Sequence, residues 1–256
     1  TKAYRLPAAS PASRGKAMVS LLPLNEGEAV TTVMPWPGKV DAEQGDVCLF
    51  FATAQGNVRR NALADFERIQ SIGKIAIGLS EGDRLIGVRP CTSADDVLLA
   101  ARGGKCIRFP VPDVRLFKGR SSSGVRGMRL GKNDEVISLT LLRHVDVNVK
   151  TRDEYLRAVG ARRRLTNGGY EDRADDRARD AKLAAKLDDR TQGALGDREQ
   201  FLLSVTENGY GKRTSAFDYR TIGRGGIAEG PRIGSGAIRI DTGWEAGLTL
   251  AAIRRV

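Results

Sequence analysis

The chain has 256 residues and a formal net charge of +11, from 42 Lys and Arg against 31 Asp and Glu. Its 41% hydrophobic residues are enough for a packed core, which excludes global disorder, and its length suits one large domain or two small ones. No apolar run approaches the roughly 18 residues of a membrane helix, and no signal peptide is predicted. Three cysteines and one histidine exclude a disulfide framework and a zinc site, which favours a cytosolic protein.

The basic surplus is uneven along the chain. Residues 1–144 carry a net charge of +7, residues 145–200 carry +1 and residues 201–256 carry +3. A surplus of this sign attracts polyanions, of which nucleic acid is the leading candidate.

A repeated pattern begins near residue 47. An apolar run, a polar turn with glycine and a run with basic residues follow one another at 47–60, 97–109 and 201–214. This order is typical of a β-hairpin, in which glycine supplies the positive φ of a tight turn. Asn208-Gly209 is the strongest of the three turn signals.

A second element follows the first two hairpins. Alternating apolar residues at 73–79 and 124–130 predict half-buried strands. Gly56 and Gly104 lie 48 positions apart, while Gly104 and Gly209 lie 105 apart, about two periods with an inserted segment between them. Four short strands in a unit of about 50 residues predict propeller blades, with an ordinary barrel or sandwich as the alternative.

The inserted segment, 145–198, differs in kind from the repeat. Thr151 to Glu154 fits a capping box at the start of a helix, and an Ala- and charge-rich stretch follows at 171–189. That stretch predicts a solvated helix or a partly disordered linker with no chemistry of its own.

Five segments carry long motifs that match one known family. They are SRGKAMVSLLPL at 13–24, FATAQGNVRR at 51–60, GDRLIGV at 82–88, SGVRGMRL at 123–130 and VTENGYGKRT at 205–214. In this order they resemble successive blades of the C-terminal domain of DNA gyrase A subunits. A charged insertion after the third blade is also similar to one found in some members of that family.

The resemblance implies an all-β fold, a β-pinwheel of propeller-like blades. The chain would hold a partial set of the six-bladed ring, with a charged, partly helical insertion. Residues 1–144 would form part of the first blade and blades two and three. Residues 145–198 would be the insertion, and residues 199–256 a fourth blade that is divergent or truncated after about residue 226.

The function implied by the resemblance is binding, bending and wrapping of double-stranded DNA without sequence preference. The domain would act within gyrase, an ATP-dependent type II topoisomerase, an isomerase that introduces negative supercoils. The implied partners are DNA, the breakage-reunion region of gyrase A and the gyrase B subunit. The implied location is the bacterial cytoplasm, at the chromosome and without a membrane.

DNA wrapping needs a track of cations that contact phosphates rather than groups that read bases. One recurrent set follows the hairpin glycines: Arg59, Arg60, Lys105, Arg108, Lys212 and Arg213. A second set accompanies the glycine-led strands: Arg14, Lys16, Lys74, Arg126 and Arg129. Repetition around a ring predicts that both sets lie on one curved basic rim, and the alternative for any single residue is a solvated surface charge.

No catalytic or metal site is predicted in this chain. His144 has no Ser or Cys motif to serve and is expected to cap or to lie in a loop, and Asp95-Asp96 is predicted to be turn sequence. The chain is therefore expected to use no cofactor, since ATP and Mg²⁺ would be bound by other parts of the enzyme. A propeller-like scaffold that binds proteins and the equivalent domain of topoisomerase IV are the alternative functions.

Overall fold

In the part of the chain that the structure describes, three β-sheets follow one another, and three helices lie in sequence between the second sheet and the third. The computed structural model describes residues 6–22, 24–35, 46–67, 73–167, 174–205, 211–226, 239–242 and 248–252. The first sheet has the strand order β3-β1-β2-β6, the second β5-β4-β7 and the third β10-β11-β8-β9.

The described strands have two to eight residues, and the helices have 8 to 19 residues. The strands are β1 (Cys48–Thr53), β2 (Asn57–Ala62), β3 (Leu85–Cys91), β4 (Asp95–Ala101), β5 (Cys106–Pro110), β6 (Val125–Arg126), β7 (Val136–Arg143), β8 (Phe201–Val205), β9 (Gly211–Ser215), β10 (Arg239–Thr242) and β11 (Leu248–Ala252). The helices are α1 (Val149–Asn167), α2 (Ala174–Ala184) and α3 (Asp189–Gly196). Single 3₁₀ turns lie at Met18–Ser20, Leu63–Phe66, Val111–Asp113 and Ala216–Asp218.

Both faces of β1 and β4 are buried. Phe50 of β1 joins an apolar cluster with Leu99 of β4, while the next residue, Phe51, packs on the other side of the sheet, because side chains alternate along a strand. Leu98 of β4 packs in turn with Leu202 of β8. Apolar layers therefore separate successive sheets, so that these inner strands are continuous apolar runs rather than alternating ones.

The strand pairs of all three predicted hairpins, β1–β2, β4–β5 and β8–β9, are present and antiparallel. Gly56 and Gly104 occupy the turns with φ of +82° and +81°, and β3 and β7 add antiparallel strands to β1 and β4. The predicted Asn208-Gly209 turn lies outside the described residues. The third sheet departs from the pattern, because β11 runs parallel to β8.

A strap from the next unit, residues 124–130, begins as β6 beside β2 and requires two glycines. The amides of Gly127 and Met128 both donate to the Gly56 carbonyl, at 2.8 and 3.1 Å. A Cβ at Gly124 would lie 2.3 Å from the Val58 carbonyl oxygen, and one at Gly127 would lie 2.5 Å from a Val58 methyl group. Only glycine permits so close an approach of the two backbones.

The prediction of a strand at 73–79 is wrong. The described residues 73–84 contain no strand, and Ile75 is 71% exposed, whereas Ile77 packs against the cluster that contains Phe51. The apolar alternation is present, but no neighbouring strand in the described part of the chain supplies hydrogen bonds to this segment.

The insertion forms helices that are anchored to the third sheet. Tyr155 of α1 meets Phe217 edge-to-face with ring centroids 5.6 Å apart, and its hydroxyl donates to Glu199 at 2.9 Å. The predicted capping box is displaced by one turn, because α1 begins at Val149 and the Asn148 side chain accepts from the Thr151 amide at 2.8 Å. None of the helices in the described residues has the length and apolar character that a membrane span requires.

Candidate nucleic-acid interface

Seven of the eleven predicted DNA-contact residues have exposed side chains. They are Arg14, Lys16, Lys105, Arg126, Arg129, Lys212 and Arg213. Two more, Arg60 and Lys74, are partly buried, and Lys74 donates to the Asp65 carbonyl at 2.9 Å. The other two, Arg59 and Arg108, are buried.

Arg108 is an internal clamp between two units, and its prediction as a DNA contact is wrong. It is 5% exposed, and its Nε and Nη2 donate to Oδ2 of the buried Asp96 at 2.8 and 2.7 Å. Its Nη1 donates to the carbonyl of Ala216 in the next unit at 2.8 Å. A guanidinium that is covered in this way has no surface to offer a phosphate.

Arg59 is also an internal residue, and its prediction as a DNA contact is wrong for the same reason. It has no exposed surface, its Nε donates to Asn61 at 2.7 Å and its Nη1 donates to the Ser122 carbonyl. Its guanidinium lies 5.0 Å from the Phe117 ring centroid. Arg59 therefore ties β2 to the segment between β5 and β6.

The strand register identifies Arg60, Arg108 and Arg213 as one repeat position. Each lies two residues before the last residue of its hairpin, and a 3₁₀ turn begins directly after that residue in all three units. The same register makes Cys48, Asp96 and Phe201 equivalent on the facing strands. One repeat position thus holds a partly buried, a buried and an exposed arginine.

In the strap, a buried methionine lies between two exposed cations. Met128 is 1% exposed, whereas Arg126, two residues before it, and Arg129, directly after it, are exposed beside the Gly56 turn. Lys105 directly follows the second turn glycine, Gly104. Cations of this kind contact phosphates with little dependence on base sequence.

Two arginines that connect segments far apart in the chain carried no clear sequence signal. Arg224 donates to the carbonyls of Asp113 and Arg126, at 3.0 and 2.8 Å, and Arg120 donates to the Asp65 carbonyl at 3.1 Å. Their carbonyl partners lie about 50 to 110 positions away in the chain, so that spacing alone could not identify them.

His144 has a structural partner in the described structure. Its Nδ1 lies 2.8 Å from Oδ1 of Asp96, and its backbone amide donates to the Ala94 carbonyl at 2.9 Å. Asp96 is buried and holds both Arg108 and His144, which corrects its prediction as a turn residue. The histidine thus fastens the start of the insertion to β4.

Burial also governs the titration of the thiols. It raises the pKa of Cys91 and of Cys106 to about 12, and it raises the pKa of Cys48. All three cysteines are buried and unpaired. Thiols with so high a pKa are protonated and unreactive at neutral pH.

The model of the DNA gyrase C-terminal domain, a beta-propeller, matches residues 1–37, 49–92, 95–143 and 200–228. These ranges include more than half of the chain and skip the inserted helices. The chain belongs to the DNA gyrase C-terminal domain family. The resemblance found in the sequence motifs is therefore confirmed, as is the propeller-type fold with a partly helical insertion.

The curated relatives are gyrase A subunits. The DNA gyrase A subunit of Granulibacter bethesdensis is 47% identical over 233 residues, which are 88% of this chain and 25% of that protein. That of Rickettsia bellii is 41% identical over 252 residues, 98% of this chain and 26% of the protein. That of Escherichia coli is 34% identical over 235 residues, 87% of this chain and 25% of the protein. The chain spans about a quarter of the length of these relatives.

Two solved structures share the fold. The C-terminal domain of a DNA topoisomerase IV has a TM-score of 0.60 at 15% identity, and the match covers 89% of this chain and 53% of that one. A DNA gyrase A C-terminal domain has a TM-score of 0.55 at 17% identity, and the match covers 94% of this chain and 66% of that one.

Proposed function

We propose that this chain binds, bends and wraps double-stranded DNA without sequence preference, as the C-terminal part of gyrase A. The observation that carries the proposal is the set of exposed cations at recurrent positions in a chain of this family. Each Lys or Arg that neutralises a phosphate releases a condensed counterion, which gives affinity without base reading.

The recurrence of exposed cations in successive units supports DNA bending in particular. A duplex bent over a curved surface costs a few kcal/mol, and many phosphate contacts offset that cost. Lys105, Arg126 and Arg129 lie beside the hairpin turns of successive units, so that one duplex following the units would meet them in turn.

The whole-enzyme activity would be ATP-dependent negative supercoiling by a type II topoisomerase. In that enzyme ATP, Mg²⁺ and DNA breakage would belong to the rest of gyrase A and to gyrase B, and this chain would supply no cofactor site or catalytic residue. The site of action would be the bacterial chromosome in the cytoplasm. The 47% and 41% identical gyrase relatives favour gyrase over topoisomerase IV.

The salt dependence of duplex binding tests the proposal. Log K falls with log salt by about 0.9 for each phosphate that is neutralised. Replacing Lys105, Arg126, Arg129, Lys212 and Arg213 with Gln should therefore lower the slope by about 4.5 if all five contact DNA. Fluorescence anisotropy with two unrelated duplexes of equal length measures both the slope and the sequence preference.

A variant that removes two exposed charges of the insertion is the control for loss of surface charge. Arg177 of α2 and Arg190 of α3 are exposed in the insertion, outside the recurrent sets, and their replacement with Gln should leave the slope within about 0.5 of the unchanged chain. A duplex affinity that is insensitive to salt, or equal slopes for both variants, would overturn the proposal and favour a protein-binding scaffold.

A further inference from the structure

Two arginines share one aromatic ring where the insertion meets the third sheet. The guanidinium carbon of Arg213 lies 3.5 Å from the Phe201 ring centroid, and that of Arg163 in α1 lies 5.5 Å from it. Both distances are within the range of cation–π attraction. Both arginines are exposed, and the three residues together are called the double-arginine site.

The repeat shows why this site keeps its positive charge. In the second unit Asp96 neutralises Arg108, but the third sheet has Phe201 at the position of Asp96 and Arg213 at the position of Arg108. A neutral ring holds a guanidinium without cancelling its charge. Within the described part of the chain, neither Arg213 nor Arg163 forms an ion pair.

The insertion is nearly neutral as a whole, but its first helix is basic. Helix α1 has six basic and two acidic residues, a net charge of +4. Three of its arginines face carboxylates: Arg152 with Asp153, Arg162 with Asp189 and Arg164 with Asp180. Arg163 lies between two of these arginines yet points to the Phe201 ring instead.

The nearby carboxylates do not neutralise all the cations at the double-arginine site. Asp218 interacts electrostatically with Arg163 and Lys212, and burial raises the pKa of its carboxyl group, so that its charge is less favourable there than in water. Glu199 accepts the Tyr155 hydroxyl. The cations on this surface therefore exceed the available anions.

The helix is held in place before any ligand binds. Tyr155, two turns before Arg163, packs edge-to-face on Phe217 of the third unit. Arg163 is thus presented by an anchored helix, which lowers the ordering cost that binding would otherwise require.

We propose that α1 of the insertion contacts the phosphate backbone of double-stranded DNA through Arg163, beside Arg213. The insertion is then an added section of the DNA interface that the repeat alone does not supply. This inference rests on the proposed function and extends it to residues outside the recurrent sets. Phosphates fit the double-arginine site because it offers two neighbouring, fixed and unneutralised cations and no group suited to reading a base.

Single and double substitutions in the 256-residue chain test the inference by the salt slope of duplex binding. Arg163→Gln should lower the slope by about 0.9, so that the loss of affinity between about 50 and 200 mM salt becomes about 3.5-fold smaller. Arg163→Gln with Arg213→Gln should lower it by about 1.8. Arg163→Lys keeps the charge and should keep the slope, which separates a phosphate contact from a packing role.

Arg177→Gln on the neutral helix α2 is the matched control and should leave the slope unchanged. A slope for Arg163→Gln equal to that of the unchanged chain, with a lower slope for Arg213→Gln, would overturn the inference while the proposed function stands. Salt-insensitive binding by the unchanged chain would overturn both. Circular dichroism melting of each variant checks that α1 remains folded.

Discussion

Arg108 offers the sharpest separation between a DNA contact and an internal clamp. In Arg108→Met the buried Asp96 loses both arginine bonds, of 2.8 and 2.7 Å, and of its side-chain partners in the described residues it keeps His144. Removing one partner of a buried ion pair costs about 3–5 kcal/mol, a large part of the roughly 5–15 kcal/mol that stabilises a domain. The free energy of unfolding, measured by urea titration, should fall by that amount.

The double variant Asp96→Leu with Arg108→Met tests whether the loss of stability comes from the unpaired Asp96 carboxylate. Replacing a whole buried pair with apolar side chains is often neutral, so most of the stability should return. About 1–3 kcal/mol should remain lost, because the Ala216 carbonyl keeps no donor in place of Arg108 Nη1. Arg213→Met, at the same repeat position but exposed, should change stability by only about 0.5 kcal/mol.

The two variants should affect duplex binding in the opposite order from stability. Arg108→Met should leave the salt slope of the folded protein unchanged, whereas Arg213→Met should lower it by about 0.9. An Arg108→Met chain with unchanged stability and a slope lowered by about 0.9 would refute the assignment of Arg108 as a clamp.

Three further predictions test packing. Gly127→Ala should lower the free energy of unfolding in urea by about 1–3 kcal/mol, because the added methyl group clashes with Val58. Gly131→Ala, where an added Cβ meets nothing within 4 Å, should lower it by less than about 0.5 kcal/mol, and equal losses would contradict the close approach at Gly127. Cys91 and Cys106 should resist thiol reagents at about pH 8 until the chain unfolds, and labelling of the folded chain at the rate of the unfolded chain would contradict this. The free energy of unfolding should fall as pH rises from about 9 to 12, because the thiols of the unfolded chain ionise first. Phe217→Ala should cost about 3–5 kcal/mol and speed hydrogen exchange in α1, and unchanged exchange would contradict the anchoring of the insertion.

The repeat and its turns could be predicted because they depend on local chemistry. Gly56 and Gly104 stand where the hairpin needs a positive φ, and the continuous apolar runs of β1 and β4 indicate strands that are buried on both faces. The family followed from the motifs built around these turns.

The different surroundings of the arginines could not be predicted from repetition. Equivalent arginines have the same backbone, but the residue diagonal to them on the facing strand differs and is Cys48, Asp96 or Phe201 in the three units. The carboxylate of Asp96, two residues from the register partner of Arg108 on the facing strand, was the available signal for burial. Arg163 carried no signal, because it lies in a segment whose charges nearly cancel.

A ring-closure assay tests the central claim, DNA bending, most directly. A linear duplex of about 150 base pairs is near the persistence length and closes slowly under ligase. We expect that the chain, at concentrations that saturate binding, increases the yield of ligated circles, and that the variant with Lys105, Arg126, Arg129, Lys212 and Arg213 replaced by Gln does not. Saturated binding by the unchanged chain with no increase in circles would contradict the claim.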